Sequence, residues 1–107
     1  MKAGFSRMEI TPDFSAAMAG FDRRTAPSVG VLDPLYVSVL ALEDASGDLF
    51  LFCSYDVLGV ERSLCESIRC ELANNLPISP DRIWVCATHT HSAPSCIFFN
   101  SKHYDKN

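Results

Sequence analysis

Apolar positions in the first half of the chain follow patterns that predict three β-strands. Residues 3–10 form the first, and Thr11-Pro12 ends it because proline lacks the amide donor of a strand ladder. Residues 36–43 and 48–56, joined by a turn sequence, predict an antiparallel hairpin. The run at 48–56 is apolar on both faces, so we expect a central strand that is covered on both sides. Residues 13–34 are irregular and predict a long loop.

The second half of the chain predicts a helix followed by a strand. Over residues 60–75 the apolar positions recur every four residues, which is typical of an amphipathic helix. Residues 82–91 then predict another strand. Strand, helix and strand form a βαβ unit. The predicted fold class is therefore α/β, a mixed sheet with a hairpin and one βαβ unit.

Composition and charge narrow the functional classes. The 107 residues are 48% hydrophobic and 21% charged, which indicates one globular folding unit. The net charge of −4 argues against a nucleic-acid partner. No apolar run approaches the roughly 20 residues that span a bilayer, and no apolar leader is visible, so we expect no transmembrane segment and a cytoplasmic location. Five cysteines without Cys-x-x-Cys spacing fit a reducing compartment.

His89 and His91 are the candidate functional residues. If residues 82–91 are extended, both side chains project from one face at the carboxyl end of the strand, roughly 7 Å apart. Ligands of open α/β sheets bind at that end, and neutral imidazole is a common zinc ligand. An isolated His-x-His pair is nevertheless more often two solvated residues at a strand end. A zinc knuckle that adds Cys86 and Cys96 is disfavoured, because Cys86 would point to the opposite face.

Five segments of the chain, taken in order, carry a family resemblance. They are AGFSRMEITP (3–12), MAGF (18–21), VGVLDPLYVSVLALED (29–44), CSYDVLGV (53–60) and ATHTHSAP (87–94). Together they resemble the neutral/alkaline non-lysosomal ceramidase family, whose Met-Gly-Tyr element and Thr-His-Thr-His-Ser-Gly-Pro signature are similar to the second and the fifth. On this resemblance, residues 1–95 are the N-terminal portion of a ceramidase-like catalytic domain and residues 96–107 are a divergent tail.

The resemblance implies a zinc-dependent amidohydrolase that splits a lipid-like N-acyl substrate, N-acylsphingosine (ceramide), into sphingosine and fatty acid. Carried onto matching positions, it makes His89 a Zn²⁺ ligand. His91 becomes the catalytic group that contacts the substrate near its scissile carbonyl and stabilises the oxyanion. Gly20 would contact the substrate through its backbone. Asp56 matches an aspartate of the family and would either orient a histidine or cap the segment that follows it.

The resemblance is incomplete in two respects. Ala93 stands where the signature has a glycine, and the family's other zinc ligands come from far downstream of these segments. We therefore expect a portion of a larger catalytic domain that is incomplete as an enzyme alone. Two alternatives stay open. One is a non-catalytic α/β remnant that binds a partner, or itself through an exposed sheet edge. The other is a small metal-binding module that uses both histidines, with or without His103.

Overall fold

A four-stranded mixed sheet forms the centre of the computed structural model, which describes residues 1–21 and 25–94. Its strands, in spatial order, are β1 (Lys2–Glu9), β2 (Tyr36–Glu43), β3 (Leu49–Tyr55) and β4 (Ile83–Ala87). β2 pairs antiparallel with β1 and with β3, whereas β3 and β4 are parallel. The predicted hairpin and the predicted βαβ unit are therefore both confirmed, and the fold class is α/β.

One helix, α1 (Arg62–Asn75), makes the crossover from β3 to β4, and a 3₁₀ turn at Pro80–Arg82 leads into β4. The predicted helix is confirmed, although it begins two residues later than its apolar pattern does. Leu72 of the helix packs against the sheet core, and Arg69 Nε donates a 2.9 Å hydrogen bond to the carbonyl of Ile83. These contacts fix the helix over one face of the sheet.

The core lies between α1 and the two strands that the helix connects. Leu51, Cys53 and Ile83 are its buried centre, with exposed fractions of 5%, 1% and 2%. Because side chains alternate along a strand, all three point to the face that the helix covers. Burial raises the pKa of the Cys53 thiol, and the neighbouring Cys86 thiol adds to the increase. Cys53 therefore acts in the core as a small neutral residue.

The opposite face of the sheet is not covered by the described residues, so the prediction that β3 is covered on both sides is wrong. Phe52, between two buried neighbours of β3, is 37% exposed. Trp84 of β4 is 43% exposed and stacks on Phe52 with ring centroids 4.8 Å apart. The apolar run correctly predicted the strand β3, but α1 covers only one face of the sheet.

The strand register aligns the exposed apolar residues of this open face into one row. Direct cross-strand partners link Phe5 to Leu40, Leu40 to Phe52 and Phe52 to Trp84. We call these four residues the aromatic row. Each is more than a third exposed, and Phe5 is 70% exposed.

Among the described helices, none is long and apolar enough to cross a membrane.

Replacement of Ile83 by alanine tests the position of the core. Ile83→Ala should lower the free energy of unfolding by about 2–5 kcal/mol, because it leaves a cavity at a side chain that is almost fully buried. Leu32→Ala removes the same number of carbons from a side chain that is 96% exposed, and should change stability by less than about 0.5 kcal/mol. Urea unfolding followed by circular dichroism measures both, and equal losses would contradict this core.

Candidate functional site

The two candidate histidines lie in a loop rather than in a strand. We call residues 88–92, which follow β4, the histidine loop. β4 ends at Ala87, so the predicted strand over residues 82–91 is too long at its carboxyl end. His89 has a φ of 66°, a left-handed conformation that extended chain does not contain. Simple alternation along a strand therefore does not place the two side chains.

The histidine loop is held to the sheet by hydrogen bonds that continue the pairing of β3 with β4. Thr88 N–H donates to the carbonyl of Tyr55 at 2.9 Å, and His89 N–H donates to that of Val57 at 3.0 Å. The side chain of Tyr55 packs against the sheet core, and burial, reinforced by the thiols of Cys53 and Cys65, raises the pKa of its hydroxyl.

The loop brings the two imidazole rings together by a different route from the one predicted. Their centroids are 5.1 Å apart and their planes are nearly perpendicular, at 88°. Both side chains are exposed. The turn at His89 thus places two adjacent, accessible imidazoles at the carboxyl end of β4.

Each ring is oriented by a backbone carbonyl. His89 Nδ1 lies 2.8 Å from the oxygen of Leu58, and His91 Nδ1 lies 2.8 Å from the oxygen of Gly20. A carbonyl oxygen can only accept, so both Nδ1 atoms carry the proton. In the neutral rings, Nε2 is then the nitrogen with a free lone pair. This arrangement is characteristic of metal-binding histidines, whose second nitrogen is commonly fixed by a carbonyl.

The same geometry restricts the chemistry available to His91. With Nδ1–H donated to Gly20, Nε2 of the neutral ring is an acceptor, a base or a metal ligand. It can donate a hydrogen bond to an oxyanion only when the ring is the doubly protonated imidazolium. The oxyanion-stabilising role that the resemblance implies for His91 therefore requires the charged form of the ring.

The donor chemistry of the histidine loop fits the imidazole part of a zinc site. Within residues 1–21 and 25–94, however, no three histidine, cysteine, aspartate or glutamate side chains are grouped to hold a metal ion. Cys86, a member of the knuckle considered above, donates its thiol to the carbonyl of Cys53. Cys96 and His103 lie outside the described residues. The described part of the chain thus offers two suitable ligands.

Asp56 joins two strands instead of orienting a histidine. Its Oδ2 accepts a 2.9 Å hydrogen bond from the backbone N–H of Tyr36, and its own N–H donates to the carbonyl of the same residue. These bonds tie the start of β2 to the end of β3. This differs from both roles considered for Asp56, because the carboxylate accepts from the start of β2 and not from a histidine or from the segment that follows it.

A cleft of about 800 Å³ lies beside the histidine loop and was not predicted from the sequence. Segments 11–15 and 28–35 of the long loop form most of its wall, together with Met18. Thr90 and Ser92 of the histidine loop also line it, whereas the two histidines between and beside them do not. The cleft is assembled from distant loop segments, and no local sequence period marks such a feature.

Comparison with known proteins found no counterpart: the chain matched no protein-family model and no curated protein. The functional interpretation therefore depends on the geometry of the histidine loop and on the resemblance of the five quoted segments. The roles of His89, His91 and Gly20 stay predictions at this point.

The bond between Asp56 and the start of β2 predicts a loss of stability when the carboxylate is removed. Asp56→Ala should lower the free energy of unfolding by about 1–3 kcal/mol, because the Tyr36 N–H loses a charged acceptor. Asp13→Ala, at an exposed position that lines the same cleft, is the matched control and should change stability by less than about 0.5 kcal/mol. Chemical unfolding distinguishes the two variants, and equal stabilities would argue against a stabilising bond between Asp56 and Tyr36.

Proposed function

We propose that the chain is the N-terminal portion of a zinc-dependent amidohydrolase of the neutral ceramidase type, with the histidine loop as part of its active site. One observation carries the proposal: both imidazoles have Nδ1 bound to a backbone carbonyl at 2.8 Å while their rings stand 5.1 Å apart. Two histidines that contact only solvent would not require a backbone carbonyl to fix the orientation of each ring. The ordered rings support a site in which Nε2 meets a ligand.

The proposed roles follow the resemblance. His89 binds zinc through Nε2, and His91 contacts the substrate near the scissile carbonyl. A zinc ion held there would supply a bound water with a pKa of about 7 and would polarise the carbonyl. The remaining ligands are proposed to come from outside the described residues, as the resemblance implies.

The proposed substrate is N-acylsphingosine, an amide with a lipid-like acyl chain. Gly20 contacts it through its backbone in this proposal, and the position of Gly20 next to His91 supports that assignment. The cleft beside the loop supports a substrate of this kind, because its volume lies in the range of small-molecule sites and its wall includes exposed apolar side chains such as Val29 and Leu32.

Zinc binding by histidine variants tests the metal role. Any zinc that the purified, metal-freed chain binds should depend on His89, so His89→Ala should weaken that binding by about tenfold or more because it removes a direct ligand. His91→Ala should retain most of the affinity, because His91 is assigned to the substrate. Thr90→Ala, at the position between them, is the control and should match the wild type. Isothermal titration with ZnCl₂ gives both stoichiometry and affinity.

The outcomes separate the open functions. Zinc binding that survives His89→Ala unchanged would contradict the ligand role. Equal losses in His89→Ala and His91→Ala would favour the small metal-binding module, and a further loss in His103→Ala would strengthen that reading. If zinc follows the proposed pattern, release of fluorescent fatty acid from a labelled N-acylsphingosine tests the reaction itself.

A second candidate function, self-association, is favoured by the open face of the sheet. The aromatic row is a continuous exposed apolar strip, and such strips commonly mark interaction surfaces. All residues of β1 are exposed, and β1 is an edge strand whose outer side is unpaired within the described sheet. A second copy of the chain could add to this edge or pack on this face.

Self-association predicts a mass that depends on concentration. The wild type should form dimers at concentrations of about 100 μM or below, and Phe5→Glu should weaken them about tenfold or more by placing a charge in the aromatic row. Phe14→Glu is the matched control, since Phe14 is 68% exposed but lies outside the row. Sedimentation equilibrium measures both variants. A wild type that stays monomeric, or equal effects of the two substitutions, would exclude association through this face.

A further inference from the structure

The segment Met18–Phe21, which belongs to the long loop between β1 and β2, lies directly against the histidine loop and the residues after it. Ala19 N–H donates to the carbonyl of Ala93 at 3.0 Å, and Met18 forms an isolated antiparallel bridge with Pro94. We call this segment the seating segment. Its backbone is therefore fixed relative to the chain that carries His91.

Two neighbouring residues of the seating segment hold the His91 ring. The carbonyl oxygen of Gly20 accepts the hydrogen bond from His91 Nδ1 at 2.8 Å. The ring of Phe21 meets the imidazole edge to face, with centroids 5.4 Å apart. His91 is thus held by one directional polar contact and one apolar contact, although its side chain is exposed to solvent.

The contact between Gly20 and His91 is possible only because Gly20 has no side chain. A Cβ atom at this position would lie 2.6–2.7 Å from Nδ1, Cβ and Cγ of His91, closer than Cβ atoms approach other atoms. Gly20 also has a φ of 109°, a conformation that L-residues with a side chain rarely adopt. Any other residue would displace either the ring or the backbone that orients it.

We propose that Gly20 is a positioning residue that fixes both the orientation and the tautomer of His91. Its carbonyl keeps the proton on Nδ1, and its missing Cβ leaves the space that the ring occupies. Nε2 is then always the nitrogen presented to a ligand. This role is distinct from a substrate contact by Gly20. Its meaning for catalysis rests on the proposed function of His91, but the orientation itself does not depend on zinc.

The tautomer can be read directly in the metal-free chain. Long-range ¹H–¹⁵N spectra of the histidine rings, recorded at about pH 8, above the ordinary histidine range, distinguish a proton on Nδ1 from one on Nε2. In the wild type, His91 should be in the Nδ1–H form. In Gly20→Ala, the ratio of the Nδ1–H to the Nε2–H form of His91 should fall about fivefold or more, as expected when one hydrogen bond is lost. His89, bonded to Leu58, should not change.

Gly47→Ala is the matched control for backbone strain. Gly47 also has a positive φ, of 83°, but a Cβ there would meet nothing within 4 Å. This variant should lose stability without changing the tautomer of either histidine. A change confined to His91 in Gly20→Ala supports the proposal, because a merely structural glycine would move both histidines or neither.

Two results would overturn the inference. One is a wild-type His91 in the Nε2–H form, which needs no variant and is decisive even if Gly20→Ala does not fold. The other is a Gly20→Ala chain that folds and keeps the Nδ1–H form. Neither measurement uses zinc or substrate. A chain that shows the predicted tautomer but whose zinc binding is unchanged by His89→Ala would therefore contradict the proposed metal role and leave the positioning role of Gly20 intact.

Discussion

The backbone hydrogen bonds that continue beyond the parallel pairing of β3 and β4 are the constraint on which the candidate site depends. The bonds from Thr88 to Tyr55 and from His89 to Val57 attach the backbone of the histidine loop directly to the end of β3 and the residues after it. Val57 is buried, with 5% of its surface exposed, so the loop is attached to a well-packed part of the molecule. The two exposed rings are therefore carried by a backbone that is attached to a rigid, buried part of the fold.

The regular elements were predictable because their apolar periods are clear and local. The hairpin and α1 follow from alternation and from a four-residue repeat. The end of β4 could not be found in this way, because histidine tolerates the left-handed conformation of His89 and no glycine or proline marks the turn. The open face was also missed. A period shows which residues of one strand share a face, but it does not show whether another layer covers that face.

The candidate site was predictable only in part. The spacing of His89 and His91 indicated two neighbouring imidazoles, although a turn rather than an extended strand brings their rings together. The contact of His91 with Gly20 joins residues 71 positions apart, and it is possible because glycine has no Cβ atom. The sequence signals of this close approach are Gly20 itself and the small size of Ala19 and Ala93, both buried where the two segments meet. Such a signal has meaning only once the fold is known.

The left-handed backbone at position 89 also limits which residues evolution could place there. Glycine, asparagine and aspartate adopt this conformation readily, as histidine does, whereas valine and isoleucine are excluded on steric grounds alone. The absence of bulky β-branched residues at this position among related chains would therefore say nothing about a metal. Retention of histidine against asparagine or glycine would be the informative comparison, since only the imidazole among them adds a good zinc ligand to a backbone that all of them tolerate.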